Sequence, residues 1–228
     1  MNTKRASPVL LSIDWDHYAG MVEHVFDSPF WGTPDLEYHR AERWWDLARK
    51  RGGGLEVLQQ DFPLYGDPLE LLQYSGKPVF AALSHDSAWE WLARFEAGRV
   101  VNVDSHHDLF SLSGDPEQVR PGNWAGLGIR RGKILDYTCI YPAWHEDVRV
   151  TEGFDLERTW QEVEPHFSAE ERERIHLERG GPLPDPQQVQ AVLLVQSPAW
   201  TNPLFDGVFF ELLEKLQGTC LTEPLRRV

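Results

Sequence analysis

The chain has 228 residues, 41% of them hydrophobic and 12% aromatic, enough core material for one folded domain over residues 1–228 and too much for a disordered chain. Its formal net charge of -14 excludes the basic footprint that nucleic-acid binding needs and favours cationic substrates or metal ions. Two cysteines, Cys139 and Cys220, form no CxxC pair, and the first apolar run is soon broken by acidic residues; a reduced cytoplasmic protein without signal peptide or membrane span is expected.

In chain order, "PVLLSIDWD" (8–16) predicts a buried strand ending in Asp14 and Asp16. "DLEYHRAERWWDLARKRGGG" (35–54) has helical spacing at Leu36, Trp44, Trp45 and Leu47, with a basic last turn and glycines as a stop. "DPLELLQYSG" (67–76) predicts a short helix, and "KPVFAALSHDSAWEWLARFEAG" (77–98) reads as strand, turn and helix. "RVVNVDSHHD" (99–108) is the next strand, so the two strands and their helix make a βαβ unit. "KILDYTCIYP" (133–142) predicts a strand, "DLERTWQEVEPHF" (155–167) a helix and "SAEERERIHLE" (168–178) a charged helix. "RGGPLPDPQQ" (179–188) is a surface connection, "VQAVLLVQSPAW" (189–200) a last strand and "GVFFELLEKL" (207–216) a helix. This alternation predicts a three-layer α/β/α sandwich with a mainly parallel sheet.

Three of these strands end in residues of metal-ligand type: Asp14, Asp16 and His17; His85 and Asp86; Asp104, His106, His107 and Asp108. The carboxyl ends of parallel strands form the binding crevice. In an extended segment residues two apart share a face, which brings Asp14 with Asp16 and Asp104 with His106. Each cluster alone is also what a solvated polar turn looks like. Carboxylates gathered together repel and take up protons unless cations lie between them; oxygen ligands with a few imidazoles suit manganese or a similar ion. His107, Asp86 and His17 fit as ligands or as groups orienting ligands. His24, His39, His145, His166 and His176 lie in no cluster and are expected on the surface.

The stretches "SHDS" (His85), "VDSHHD" (Asp104, His106, Asp108) and "SIDWD" (Asp14, Asp16), with "PGNWAG" at 121–126, resemble the motifs of the ureohydrolases. These arginase-like enzymes use two manganese ions on a three-layer α/β/α sheet. The resemblance implies that His85 and Asp108 hold one ion and His106 and Asp16 the other, with Asp104 and Asp14 bridging. Water activated between the ions is then the nucleophile at a guanidinium carbon, and Asp108 carries the proton to the leaving amine.

The departures narrow the resemblance. Asp-x-Asp follows Asp-x-His-x-Asp in ordinary arginases but precedes it here, so a permuted strand order is required. Phe110, Pro121 and Ala125 replace groups that serve a free amino acid or shuttle protons. The chain is more similar to the short peptide arginases, which convert arginine side chains of ribosomally made precursor peptides to ornithine and urea, and whose substrate has no free carboxylate to clamp. On that resemblance Gln196 stands where the family has its substrate glutamate, with Phe110, Asn123 and Trp124 beside the substrate. Glu211 competes with Gln196 but has the spacing of a solvated helix residue; Trp124, Trp200 and Phe110 suit either a groove wall or core. Two other readings stay open: a phosphatase of the haloacid-dehalogenase kind using Asp14 and Asp16, and a non-catalytic metal-binding partner protein.

Overall fold

The computed structural model describes residues 8–20, 37–111, 115–149 and 151–228. Among the described residues seven strands form one sheet in which every strand pairing is parallel. They are β1 (Val9–Asp14), β2 (Val79–Ala82), β3 (Gly98–Val103), β4 (Ile134–Tyr141), β5 (Ile175–Arg179), β6 (Val189–Val195) and β7 (Thr219–Cys220), in the order β5-β4-β3-β1-β6-β2-β7. The helices are α1 (Asp16–Ala19), α2 (Glu37–Lys50), α3 (Ala88–Leu92), α4 (Trp124–Arg130), α5 (Leu156–Val163), α6 (Ala169–Arg172) and α7 (Asp206–Lys215). The expected three-layer α/β/α arrangement is therefore present.

The layers follow from strand alternation. Val9, Leu11 and Ile13 of β1 join Val101 and Leu194 on the face that carries Phe209 and Leu212 of α7. Leu10, Val100 and Leu193 lie on the opposite face with Trp91 of α3 and with Trp124 and Ile129 of α4. A strand covered on both faces has no wet side, which is why β1 reads as an almost continuous apolar run. A smaller cluster of Trp44, Ala48, Leu55, Leu58 and Phe62 lies between α2 and the turn after it.

Several elements depart from their expected form. The charged segment 168–178 splits into α6, started by the reciprocal Ser168 and Glu171 cap, and the edge strand β5. Ile175 is buried and Leu177 half-buried, while His176 and Glu178 face solvent; this period of two on a polar edge is masked by the helix-favouring charges beside it. The segment at 67–76 forms 3-10 turns over Pro68–Tyr74, opened by the Asp67 side chain on Leu69 N–H. The last predicted strand stops at Val195 and lies inside the sheet, between β1 and β2, and β7 adds a further pairing at the edge. On α2, Trp44 is buried but Trp45 is 43% exposed, since adjacent helical residues cannot share a face; Leu36 and His24 lie outside the described residues, as does the His39 side chain. No helix among the described residues is long and apolar enough to cross a membrane.

The strand order places a switch point beside β1. After β1 the chain enters the α7 face, where Tyr18 and Ala19 pack, and after β3 it enters the opposite face, where Leu109, Trp124 and Ala125 pack. Crossovers that diverge in this way leave a crevice at the strand ends. The segment after β3 makes a close approach to α4: Ala125 N and Gly126 N both donate to the Asp108 carbonyl, and a Cβ on Gly126 would overlap the Leu109 carbonyl oxygen. Gly126→Ala is expected to cost about 1–3 kcal/mol by overpacking, read as a lowered thermal midpoint; an unchanged midpoint would contradict this approach of α4.

Candidate metal centre

Asp16 and His106 are placed at the switch point by one local device used twice. Asp14 Oδ1 accepts from Asp16 N at 3.0 Å, and Asp104 Oδ1 accepts from His106 N at 2.8 Å. Each aspartate thus turns the chain just beyond its strand and folds the residue two positions on back toward itself. The expected convergence is therefore present, but by a different route: Asp16 opens α1, and residues 104–106 form a bend. Strand alternation does not act there.

The remaining ligands arrive on neighbouring loops. His85 opens the turn after β2, and its Nδ1 lies 3.1 Å from Asp14 Oδ2, 3.1 Å from Asp104 Oδ2 and 3.0 Å from Asp108 Oδ2. One imidazole N–H can serve only one of three carboxylates. Small divalent cations bind such ligands at about 2.0–2.2 Å, which spaces adjacent ligands about 3 Å apart. On the other side His106 Nδ1 lies 3.0 Å from Asp16 Oδ2 and 3.6 Å from Asp104 Oδ1. Asp16 Oδ2 is buried yet has no partner in hydrogen-bond geometry, as expected of a donor aimed at a shared ion. Asp14, His85 and Asp104 form one group able to hold a metal ion, and Asp16, Asp104 and His106 form another. Asp104 belongs to both, one oxygen turned to each histidine. Asp14 belongs to the first group only, which falls short of the bridging role implied by the resemblance.

The electrostatics express the same crowding. Burial, then Asp14 and Asp104, raise Asp16 well above the usual carboxylate range. Burial and the nearby Asp104 push Asp108 up to about 7. Burial opposes ionisation of Asp104 too, but the His106 and His85 imidazoles that face it hold it well below that range. Both imidazoles are raised well above 6.5 by these carboxylates in spite of burial. Without cations the histidines take protons in their place.

Supporting groups surround the ligands. Ser12 Oγ lies 2.7 Å from His85 Nε2, Asn102 Nδ2 donates to Asp104 Oδ2 at 2.9 Å, Ser105 N donates to Asp16 Oδ1 at 3.1 Å, and Ser197 Oγ donates to Asp14 Oδ2 at 2.5 Å. Ser12 and Asn102 are register partners on β1 and β3. Each stands two positions before its aspartate, and the signal was legible as a lone polar residue in an apolar run. Asp108 and Ser197 adopt left-handed backbone, with φ of 53° and 46°, a conformation that non-glycine residues adopt rarely and often at functional sites.

The expected substrate residues are differently employed. Gln196 is buried and engaged with Asp206 and with both backbone groups of Leu225. Asn123 is buried, holding Arg120 N and the Gln118 carbonyl. Trp124 is fully buried, its Nε1 donating to Asp108 Oδ2 at 2.7 Å; it orients that carboxylate and cannot wall a groove. Phe110 is stacked on His166 at 4.0 Å, with His107 at 4.9 Å. Asp86 is exposed; His107 is buried and accepts from Leu109 N. Glu211 is exposed and paired with Lys215. His166 and His176 are exposed as expected, whereas His145 is buried, its Nδ1 bound to the Glu152 carbonyl at 2.6 Å. Cys139 contacts the His106 carbonyl and offers no thiolate to either group.

No family model, curated protein or solved structure matches the chain.

Two expectations follow. A divalent cation should raise the thermal midpoint of the protein, and Asp104→Asn, which weakens both groups at once, should remove most of that rise; a full rise in the variant would exclude a shared Asp104. Separately, burial holds His145 down at about 3, whereas an imidazole in the unfolded chain protonates near 6.5. Below 6.5 the unfolded state therefore binds the extra proton, and stability falls as pH drops, by about 1.4 kcal/mol per unit for this one group. In metal-free protein, His145→Asn should flatten the fall measured by urea unfolding between pH 6.5 and 5 by about that slope.

Proposed function

We propose that the protein is a manganese-dependent hydrolase of the arginase-like kind, holding two ions and converting arginine side chains within a precursor peptide to ornithine and urea. The observation that carries this reading is the Asp104 carboxylate, divided between two imidazoles with a further aspartate on each side. That arrangement supports a pair of ions sharing one ligand, and the donors, four carboxylates and two imidazoles without sulfur, fit manganese. The ions, when bound, would lower the pKa of water so that a nucleophile exists near neutral pH.

The chain's own groups then have definite tasks. Among the proposed ligands only His106 reaches solvent appreciably, at 29% side-chain exposure, and the Trp200 ring lies 4.7 Å from it. A guanidinium group entering there would meet a flat aromatic wall suited to a planar cation. The surrounding carboxylates and the net charge of -14 attract such a group. Asp108, whose Oδ2 is steadied by the Trp124 indole N–H, is the carboxylate assigned to hand a proton to the departing ornithine amine. Phe110 packs against His107 and His166 and itself offers no charge or hydrogen bond to a free carboxylate, which suits a substrate whose backbone carboxylate is already in peptide linkage. The phosphatase alternative is disfavoured by the geometry at Asp14, whose oxygens are engaged by Asp16 N–H and the Ser197 hydroxyl and which is buried; a nucleophilic carboxylate needs a clear approach.

Arginine-containing peptides incubated with the manganese-loaded protein should release urea and lose the mass that separates arginine from ornithine. His106→Ala should reduce the rate by at least a hundredfold, by analogy with the loss of a positioned catalytic group. Phosphate release from phosphorylated substrates, or an unreduced rate in His106→Ala, would refute the reading.

A further inference from the structure

The segment after β7 turns back across the carboxyl ends of β2 and β6. Leu221 N donates to the Ala81 carbonyl at 2.7 Å. Thr222 Oγ1 accepts from Leu83 N at 2.9 Å and lies 3.3 Å from Ser87 Oγ, so one side chain touches both sides of the turn that presents His85. Leu225 N donates to Gln196 Oε1 and Gln196 Nε2 to the Leu225 carbonyl, each at 2.6 Å. The amide of Gln196 thereby imitates a strand pairing at the end of β6.

Arg227 completes the contact. Its guanidinium is buried, with Nε 2.9 Å from Asp206 Oδ2 and Nη2 2.5 Å from Asp206 Oδ1. Nη1 donates to the carbonyls of Pro198 at 2.8 Å and Thr201 at 2.9 Å, and Nη2 also donates to Thr201 Oγ1 at 3.0 Å. Those five bonds use all five guanidinium N–H groups. Trp44 Nε1 reaches the same Pro198 carbonyl from α2, and Asn202 Nδ2 reaches the Phe62 carbonyl. The short loop fastened in this way carries Ser197 on Asp14 and Trp200 against His106.

A buried ion pair is a poor device for stability alone, since desolvation offsets most of its attraction. A planar fork is well suited to fixing several acceptors in one geometry. The loop it fixes also contains the left-handed Ser197, a conformation that surrounding bonds must impose.

We propose that residues 221–227 are a clasp that sets the two loops presenting His85 and contacting Asp14 and His106, with Arg227 and Thr222 as its positioning residues. This rests on the reading of the centre as a metal site. Thr222 acts on the His85 turn only, while Arg227 acts on the Ser197–Trp200 loop through Pro198 and Thr201, so the two halves of the clasp are separable.

The test uses cobalt as probe, with the Thr222→Val, Arg227→Gln and Arg227→Lys proteins, reading cobalt affinity, the visible cobalt spectrum and amide hydrogen exchange. Thr222→Val should weaken one cobalt site about tenfold, the lower end of what loss of a group supporting a ligand produces, and speed exchange over residues 84–87 alone. Arg227→Gln should alter the cobalt spectrum and speed exchange over residues 197–201, with Arg227→Lys intermediate because the charge is kept and the fork lost. Variants that lose thermal stability but keep the wild-type affinities, spectrum and loop exchange overturn the clasp. Wild-type protein that binds no cobalt overturns the metal reading and the clasp with it, a result distinct from wild-type binding left intact in the variants. If Arg227→Gln fails to fold, the exposed Thr222 decides the matter, and an unchanged Thr222→Val protein overturns the proposal.

Discussion

Four buried carboxylates, Asp14, Asp16, Asp104 and Asp108, converge at the ends of two central strands, and much of the surrounding structure answers that one constraint. Unpaired buried charge is among the costliest features a fold can contain. Here it is met first by His85 and His106, raised well above their ordinary range by the acids they face. Two imidazoles among four carboxylates leave acids facing acids, and burial with Asp14 and Asp104 keeps Asp16 well above the usual carboxylate range. Cations would relieve this crowding directly, and the two groups that share Asp104 could each hold one.

Neutral hydrogen bonds supply the rest. Ser12, Asn102, Ser105, Ser197 and Trp124 each donate to, or lie within hydrogen-bond distance of, a member of the cluster. These groups fix direction as well as charge, since a carboxylate that is free to rotate would spread its oxygens over several positions. The left-handed backbone at Asp108 and Ser197 belongs to the same account. Each strained residue aims a polar side chain into the cluster, and packing of α4 under Asp108, through the bare Gly126, helps hold the strain in place.

Much of this was legible in the sequence. The ligand-type residues stood out because Asp14, His85 and the 104–108 run each follow an apolar strand, and all six proposed ligands are brought together at one place. What the pattern could not convey was how. The turns at Asp14 and Asp104 place Asp16 and His106 by capping bonds, a local effect indistinguishable in sequence from strand alternation, because both have a spacing of two. β5 was hidden because an edge strand with one half-covered face needs few apolar residues. His145 was misjudged because its burial depends on Tyr141 and Trp144 packing beside it.

The sequence by itself determined the layer architecture and which acids and imidazoles stand at the strand ends, since strand and helix periods and the placing of acids after apolar runs are local properties of the chain. Tertiary structure alone decided the order β3-β1-β6, which brings Asp-x-Asp beside Asp-x-His-x-Asp although their chain order is the reverse of the familiar one. It also decided the fate of Gln196, Asn123 and Trp124, which look like substrate groups in a linear reading and are spent on Leu225, on the 118–123 turn and on Asp108. The physical reason is that a polar side chain acquires its role from the partner that reaches it first once water is excluded, and partners as distant as Gln196 and Leu225 meet only when the sheet is complete.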